Sequence, residues 1–159
     1  MKMKSIAGRS RLAITAVLIL LTSFVSFSQD KEAGLEHALH LKRFVFIPQT
    51  MTPLAGPSRA VTSDFELRLS GDSLISYLPY FGRAYAPVEL NSSGLNFIRT
   101  DYTYSVSSDN NGWTIRVDFD DQRSVRQMQL FVSRSGYGTL QVLSNNRQPI
   151  SYYGSISVR

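Results

Sequence analysis

Apolar and polar side chains alternate with a period of two through most of the chain from residue 59 onward. In the segment WTIRVDF, residues 113–119, every second residue is apolar. Successive side chains of a β-strand point to opposite faces of a sheet, so this pattern predicts strands with one buried and one exposed face. A helix cannot gather such residues on one side, because its period is 3.6 residues.

Short polar turns separate the alternating segments, for example GD at 71–72, SSDNNG at 107–112 and NNRQP at 145–149. Strands joined by short turns form antiparallel hairpins, so we predict a mostly β fold, an antiparallel meander of about eight strands. The apolar face must be buried, which favours a strongly curved or barrel-like sheet; a two-layer β-sandwich would also bury it and stays open as an alternative. In the first hairpin, a two-residue turn would place Leu69 opposite Leu74.

One short helix is predicted near the N-terminal end of the β-rich region. Within residues 30–41, Leu35, Ala38 and Leu39 fall at helical spacing. The next segment, RFVFI at 43–47, predicts a strand, which we expect Pro48 to end because proline cannot donate a hydrogen bond to a sheet ladder.

Residues 1–28 have the pattern of a secretory signal peptide. Four Lys and Arg residues precede an apolar run at 12–25, which is short for a membrane span, and serines at positions 26 and 28 predict cleavage before Gln29. We therefore expect a single β-rich domain at residues 29–159, exported to the periplasm or cell surface, with no transmembrane span in the mature chain. An uncleaved N-terminal anchor is the alternative.

Charge and cysteine content narrow the function classes. Four of the 17 Lys and Arg residues lie in the predicted signal peptide, so the rest of the chain is nearly neutral against its 12 Asp and Glu residues. No basic surface of the kind that binds nucleic acid remains, and we predict no nucleic-acid partner. The chain has no cysteine, which excludes disulfides, cysteine metal sites and a lipid anchor on cysteine.

The stretch SYLPYFGRAYAP, residues 76–87, is the candidate binding site. Its prolines and glycine fit a structural corner whose aromatic rings cover the end of the apolar layer. It also fits a binding site in which the arginine holds a carboxylate or phosphate and the rings contact an organic ligand. The candidate ligand-binding residues are Tyr80, Phe81, Arg83 and Tyr85, and both interpretations stay open.

A second, weaker candidate is an acidic cluster at a strand end. Asp118, Asp120 and Asp121 could share a metal ion or act as an acid and base pair. Arg116 and Arg126 are near enough in sequence for ion pairs, so an ordinary solvated turn is the simpler interpretation.

No catalytic or cofactor-binding arrangement is evident elsewhere. His37 and His40, the only histidines, share a face of the predicted helix without the spacing of a metal motif, and no Gly-x-Ser-x-Gly segment occurs. We expect a protein that is not an enzyme and has no cofactor. A hydrolase using the acidic cluster is the least favoured class.

Two segments resemble the signature of an uncharacterised exported family of Bacteroidota, domain-of-unknown-function family 4251. They are DSLISYLPYFGRAY at residues 72–85 and G-x-L-x-V-x-S-x-N-R-x-x-I-x-Y-x-G at residues 138–154. The resemblance spans most of the mature chain. It implies an exported bacterial envelope domain and brings no reaction, cofactor or catalytic residue with it.

Two functions remain open at this stage. In the first, the domain binds a small apolar or amphipathic ligand in a cup formed by the curved sheet, with the candidate residues at its rim. In the second, it is a structural or protein-interaction domain of the envelope whose aromatic corner belongs to the core. A cavity beside Arg83 favours the first, and an interior filled by side chains favours the second.

Overall fold

A computed structural model describes residues 31–62, 64–85, 94–120 and 124–158. The chain divides into two compact units between Gly34 and Leu35, and the sheet and core belong to the unit from Leu35 onward. The predicted signal peptide, residues 1–28, lies outside the described residues, and the domain boundary at Gln29 stays a prediction. Within the described ranges, no helix combines the length and hydropathy that crossing a membrane requires.

The described chain consists of one helix and ten strands. Helix α1 covers residues 31–40. The strands are β1 (Arg43–Pro53), β2 (Arg59–Ala60), β3 (Glu66–Ser70), β4 (Ser73–Pro79), β5 (Gly94–Arg99), β6 (Thr103–Asp109), β7 (Gly112–Asp118), β8 (Val125–Ser133), β9 (Tyr137–Ser144) and β10 (Ile150–Val158).

All ten strands belong to one antiparallel sheet, which curls into a half-barrel. Nine strands follow the order β5-β4-β3-β1-β10-β9-β8-β7-β6, and the short strand β2 pairs with β1. The predicted mostly β fold with a curved antiparallel sheet is therefore confirmed, with ten strands instead of about eight. The sheet consists of two runs of hairpins, β3–β5 and β6–β10, joined through the pairing of β1 with β10.

The first strand is longer than the sequence predicts. We expected Pro48 to end it, but β1 continues to Pro53, so that prediction is wrong. The pairing of β1 with β10 shifts register between Pro48 and Thr50, where β1 has one residue more than its partner. A bulge of this kind interrupts the regular ladder, and a proline without an amide hydrogen is tolerated there.

The first predicted hairpin register is confirmed. Leu69 pairs with Leu74 and Ser70 with Ser73, across a two-residue turn at 71–72. Gly71 adopts a φ of 60°, a left-handed conformation that glycine reaches without steric cost. Both leucines are buried, so the register places the apolar side chains of β3 and β4 on the same face.

The concave face of the sheet is filled by apolar side chains. The largest buried residues include Trp113, Tyr152, Phe44 and Phe46, which belong to one continuous hydrophobic cluster. Burying a large apolar side chain contributes about 1.5–3 kcal/mol, so this layer is the main source of the unit's stability. In the described residues, space inside the curl is occupied by the protein's own core.

Strands β5 and β6 form the two edges of the sheet, although only three residues separate them. The curl brings the edges together around Phe119, whose ring lies 5.8 Å from that of Phe97 and 6.4 Å from that of Tyr102. At the same place, the Tyr104 hydroxyl donates a 2.7 Å hydrogen bond to the carbonyl of Leu39, near the end of α1. The chain therefore anchors the end of its helix against an edge of the sheet.

Candidate functional site

The segment after β4 folds into a tight corner around Tyr80. The Tyr80 hydroxyl shares its one hydrogen between the carbonyl oxygens of Arg83 and Gln148, which lie 3.1 and 3.0 Å away. A Cβ atom on Gly82 would lie 2.5 Å from the hydroxyl oxygen of Tyr80, closer than any two such atoms pack. A larger residue at position 82 would therefore displace the Tyr80 ring from this position, so glycine allows the ring to cover the backbone here.

Backbone hydrogen bonds attach this corner to the turn between β9 and β10. Ala84 and Arg147 form an antiparallel bridge. The amide of Gln148 donates to the carbonyl of Arg83 at 3.0 Å, and the amide of Tyr85 donates to the carbonyl of Asn146 at 2.8 Å. The corner is thus held along its backbone as well as through the Tyr80 side chain.

Two further side chains support the corner from below. Arg147 is only 5% exposed, and its guanidinium lies 5.1 Å from the centre of the Tyr80 ring, a cation–π contact. The buried Tyr152 hydroxyl donates to the carbonyl of Pro79. The segments at 72–85 and 138–154, which carry the family resemblance, are therefore in direct contact.

The electrostatics of the corner keep both hydroxyls as hydrogen-bond donors. Burial raises the pKa of Tyr80, while the nearby charge of Arg147 acts in the opposite direction and is the weaker effect. Burial likewise raises the pKa of Tyr152 well above its ordinary value. Both side chains stay protonated at neutral pH, as their hydrogen bonds to carbonyl oxygens require.

The other candidate residues point away from the corner. Phe81 is 51% exposed, Tyr85 is 67% exposed, and Arg83 is exposed. The guanidinium of Arg59 lies 5.0 Å from the centre of the Phe81 ring. We call the exposed group Arg59, Phe81, Arg83 and Tyr85 the lip.

The four residues predicted to bind a ligand therefore separate into two kinds. Tyr80 is a buttress whose hydroxyl and ring are used within the protein, whereas Phe81, Arg83 and Tyr85 are presented on the surface. The structural-corner interpretation fits Tyr80, and the binding interpretation concerns only the three exposed residues. That the exposed part binds a ligand stays a prediction.

The acidic cluster is only partly described. The carboxylate of Asp118 accepts a 2.7 Å hydrogen bond from Nε of Arg116 and a 2.9 Å bond from the amide of Gln127. Asp120 is exposed, and Asp121 lies outside the described residues. Among the residues described, no three His, Asp or Glu side chains come together in a way that could hold a metal ion.

The described surface includes two clefts that are lined by residues of the sheet strands. One, of about 280 Å³, lies between β1 and β3 and includes Arg43 and Arg68. The other, of about 290 Å³, lies on the strands β8 to β10. Neither of these two clefts includes Arg83 in its lining, and the apolar cup beside Arg83 stays a prediction.

Sequence reasoning missed two residues of the corner. Arg147 lies 67 positions after Tyr80, and its only signal was its place in the second resemblance segment. Arg59 lies in the short strand β2, and no local pattern in the sequence connects it to Phe81. Contacts between distant segments depend on strand order, which the local pattern does not specify.

This architecture defines a class of small domains made of a single curled antiparallel sheet with a braced corner at one strand end. The family model described as "Domain of unknown function (DUF4251)" matches residues 27–156, and the chain belongs to this family. The match confirms the resemblance noted in the two sequence segments. The family description assigns no activity.

A crystal structure of a DUF4251 family protein from Bacteroides eggerthii has the same fold. It is similar to this chain with a TM-score of 0.60 and 15% sequence identity, over 80% of this chain and 87% of that chain. At this identity the similarity concerns the fold alone. A search of curated proteins found no significant match to the chain.

Proposed function

We propose that the chain is an exported, non-enzymatic interaction domain of the bacterial cell envelope, and that the lip is its contact surface. The observation that carries this proposal is that one set of residues stabilises the corner while another set is exposed on its surface. Tyr80, Gly82, Arg147 and Tyr152 fix the loop from the protein side, and the fixed loop holds two aromatic rings and an arginine outward.

The composition of the lip is typical of the residues that dominate binding energy in protein interfaces. Tyrosine and arginine are enriched among such residues, because each combines a large contact area with directional polar groups. Holding them on a braced loop lowers the ordering cost of binding, since the loop is already in one conformation. A corner that served only packing would turn its large aromatic rings inward.

The charge of the lip indicates the chemistry of its partner. Arg59 and Arg83 are exposed cations beside the Phe81 and Tyr85 rings. Within the described residues the Arg83 side chain has no hydrogen-bond or ion-pair partner. The matching surface is therefore an acidic and apolar patch on another envelope protein.

The filled core supports a protein partner over a small ligand held inside the sheet. The concave face is occupied by Trp113, Tyr152 and the other members of the hydrophobic cluster. The exposed side chains of the lip suit contact with the surface of another protein. The predicted signal peptide supports the envelope as the location.

Site-specific photo-crosslinking in the native host tests the proposal. A photoreactive residue at Phe81 should give a defined protein adduct, whereas the same residue at Ile98, a strongly exposed position on β5, should not. The substitution Arg83→Ala should remove the Phe81 adduct while leaving thermal stability unchanged. Cell fractionation should find the processed protein in the periplasm or on the surface.

Different results would contradict the proposal. An adduct of equal yield at Phe81 and Ile98 would show that the lip has no special role. Native mass spectrometry of protein purified from its host provides the second check. A bound small molecule that is lost in Arg83→Ala would identify the lip as a ligand site and refute the protein partner.

A further inference from the structure

A shallow groove crosses the outer face of the last strands of the sheet. It is about 290 Å³ in volume and is lined by Gln129, Phe131, Thr139, Gln141 and Ser151. These residues come from β8, β9 and β10. All of them are uncharged.

Strand register explains how these side chains come together. Across the strands, Phe131 pairs with Thr139, which pairs with Tyr153; in the next row, Gln129 pairs with Gln141, which pairs with Ser151. Each lining residue alternates along its strand with a buried core residue such as Leu130, Leu140 or Tyr152. The two rows therefore lie side by side on the surface away from the core.

Two tyrosines lie on the same face beside the groove. The rings of Tyr137 and Tyr153 are parallel to within 2°, with centroids 6.0 Å apart. They are 47% and 48% exposed, so each presents much of its ring to the outside. Tyr153 belongs to the same row as Phe131 and Thr139, which makes the rings continuous with the groove.

The polar side chains of the groove are available to hydrogen-bond a ligand. Within the described part of the chain, the side chains of Gln129, Thr139, Gln141 and Ser151 make no hydrogen bond to another protein group. Arg116, the cross-strand neighbour of Gln129 on β7, pairs with Asp118 at 2.7 Å. The groove thus offers amides and hydroxyls, which both donate and accept, and no net charge.

This combination matches the chemistry of a neutral sugar. A pyranose presents C–H groups on its faces, which pack on aromatic rings, and hydroxyls on its rim, which both donate and accept hydrogen bonds. A phosphorylated or acidic ligand would need a cation to balance it, and the groove has none. A purely apolar ligand would strip water from the amides without replacing their hydrogen bonds.

We infer that this groove, with the Tyr137 and Tyr153 rings, is a binding site for a neutral oligosaccharide. Sugar faces pack on the tyrosine rings, and sugar hydroxyls bond to Gln129, Gln141 and Thr139. The site is distinct from the lip and uses none of its residues. The inference goes beyond the proposed protein interaction and does not depend on it.

Calorimetric titration of the purified protein with defined oligosaccharides tests the inference. The neutral probes are cellohexaose, xylohexaose, mannohexaose and maltohexaose, and the charged comparison is hexagalacturonic acid. We expect saturable binding of at least one neutral probe and none of the charged one. Absence of saturable binding to all four neutral probes, or binding of the acidic probe alone, would overturn the inference.

Variants then test the assignment to the groove. Tyr153→Ala should weaken binding by about tenfold or more, because a ring contact is lost, while Tyr153→Phe should keep the affinity within about threefold. Gln141→Ala should weaken it by about three- to tenfold, the value of one lost hydrogen bond. These positions are on the outer face, so thermal stability should change little.

Tyr77→Ala is the matched control, because Tyr77 has the same 47% exposure as Tyr137 and lies on the outer face of β4. It should leave the oligosaccharide affinity unchanged. Equal losses in Tyr153→Ala and Tyr77→Ala, or an unchanged affinity in Tyr153→Ala, would refute the site. Tyr153→Ala should keep the Phe81 crosslink and Arg83→Ala should keep oligosaccharide binding, so failure at one surface is distinguishable from failure at the other.

Discussion

The Tyr152 hydroxyl offers a direct test of how the corner is stabilised. Tyr152 is 1% exposed, and its hydroxyl donates to the carbonyl of Pro79, which is also buried. Tyr152→Phe removes this hydrogen bond and keeps the ring. A buried hydrogen bond contributes about 0.5–1.5 kcal/mol, and weakening the solvation of a buried acceptor adds to the loss, so we expect unfolding to become easier by about 1–2 kcal/mol.

The neighbouring residue supplies the control. Tyr153 has the same side chain but points outward, and Tyr153→Phe should change the free energy of unfolding by less than about 0.5 kcal/mol. Both variants make the same chemical change. The difference between their free energies of unfolding therefore isolates the buried hydrogen bond from effects on the unfolded chain.

Urea unfolding, monitored by tryptophan fluorescence, measures the free energy of unfolding of both variants. Trp113 is the single tryptophan and is buried, so its emission reports on the core. With a slope of about 2 kcal/mol per molar urea, the midpoint of Tyr152→Phe should fall by about 0.5–1 M. Equal midpoints for the two variants would refute the reasoning. So would a Tyr152→Phe change confined to the slope, which would indicate an altered unfolded state.

Three other changes have defined outcomes. Gly154→Ala should destabilise by about 2–3 kcal/mol in the same urea assay, because its Cβ would clash with the backbone carbonyl oxygen of Ile47; a neutral result would mean that the two strands separate easily. Gly34→Ala should stabilise by about 0.5–1 kcal/mol, since nothing lies within 4 Å of the added atom in the helix; a loss of stability would contradict this. Burial raises the pKa of Tyr104 well above its ordinary value near 10, so the folded state holds this proton more tightly than the unfolded state. Its contribution is complete below pH 10 and is lost as pH rises further, and the alkaline fall in unfolding free energy should be shallower in Tyr104→Phe; identical pH profiles would contradict it.

Local pattern was enough to predict the strands but not their order. The alternation in residues 113–119 gives a strand directly, and the turn at 71–72 gives the register of Leu69 against Leu74. The pairing of β1 with β10 has no such signal, because it depends on the fit of whole hairpins to one another. Pro48 was misread for the same reason, since its tolerance depends on a bulge against β10.

In the candidate site, too, the sequence predicted local features but not contacts between distant segments. The sequence revealed an unusual density of aromatic residues at 76–87, but it did not reveal which rings turn inward. Period-two counting fails once β4 ends at Pro79, so the orientations of Tyr80 and Phe81 could not be told apart from the sequence. Their roles follow from Arg147 and Gln148, which approach from a distant turn.

The central pair of strands also bears on when the chain can fold. Phe44 pairs with Val158, 114 positions later, so the middle of the sheet closes only after nearly all of the intervening polypeptide has been made. Contacts between such distant positions carry a large loop-closure entropy and slow folding. A nascent chain would keep its two hairpin runs unjoined until β10 emerged, so the central pairing is the last part of the sheet to form during synthesis.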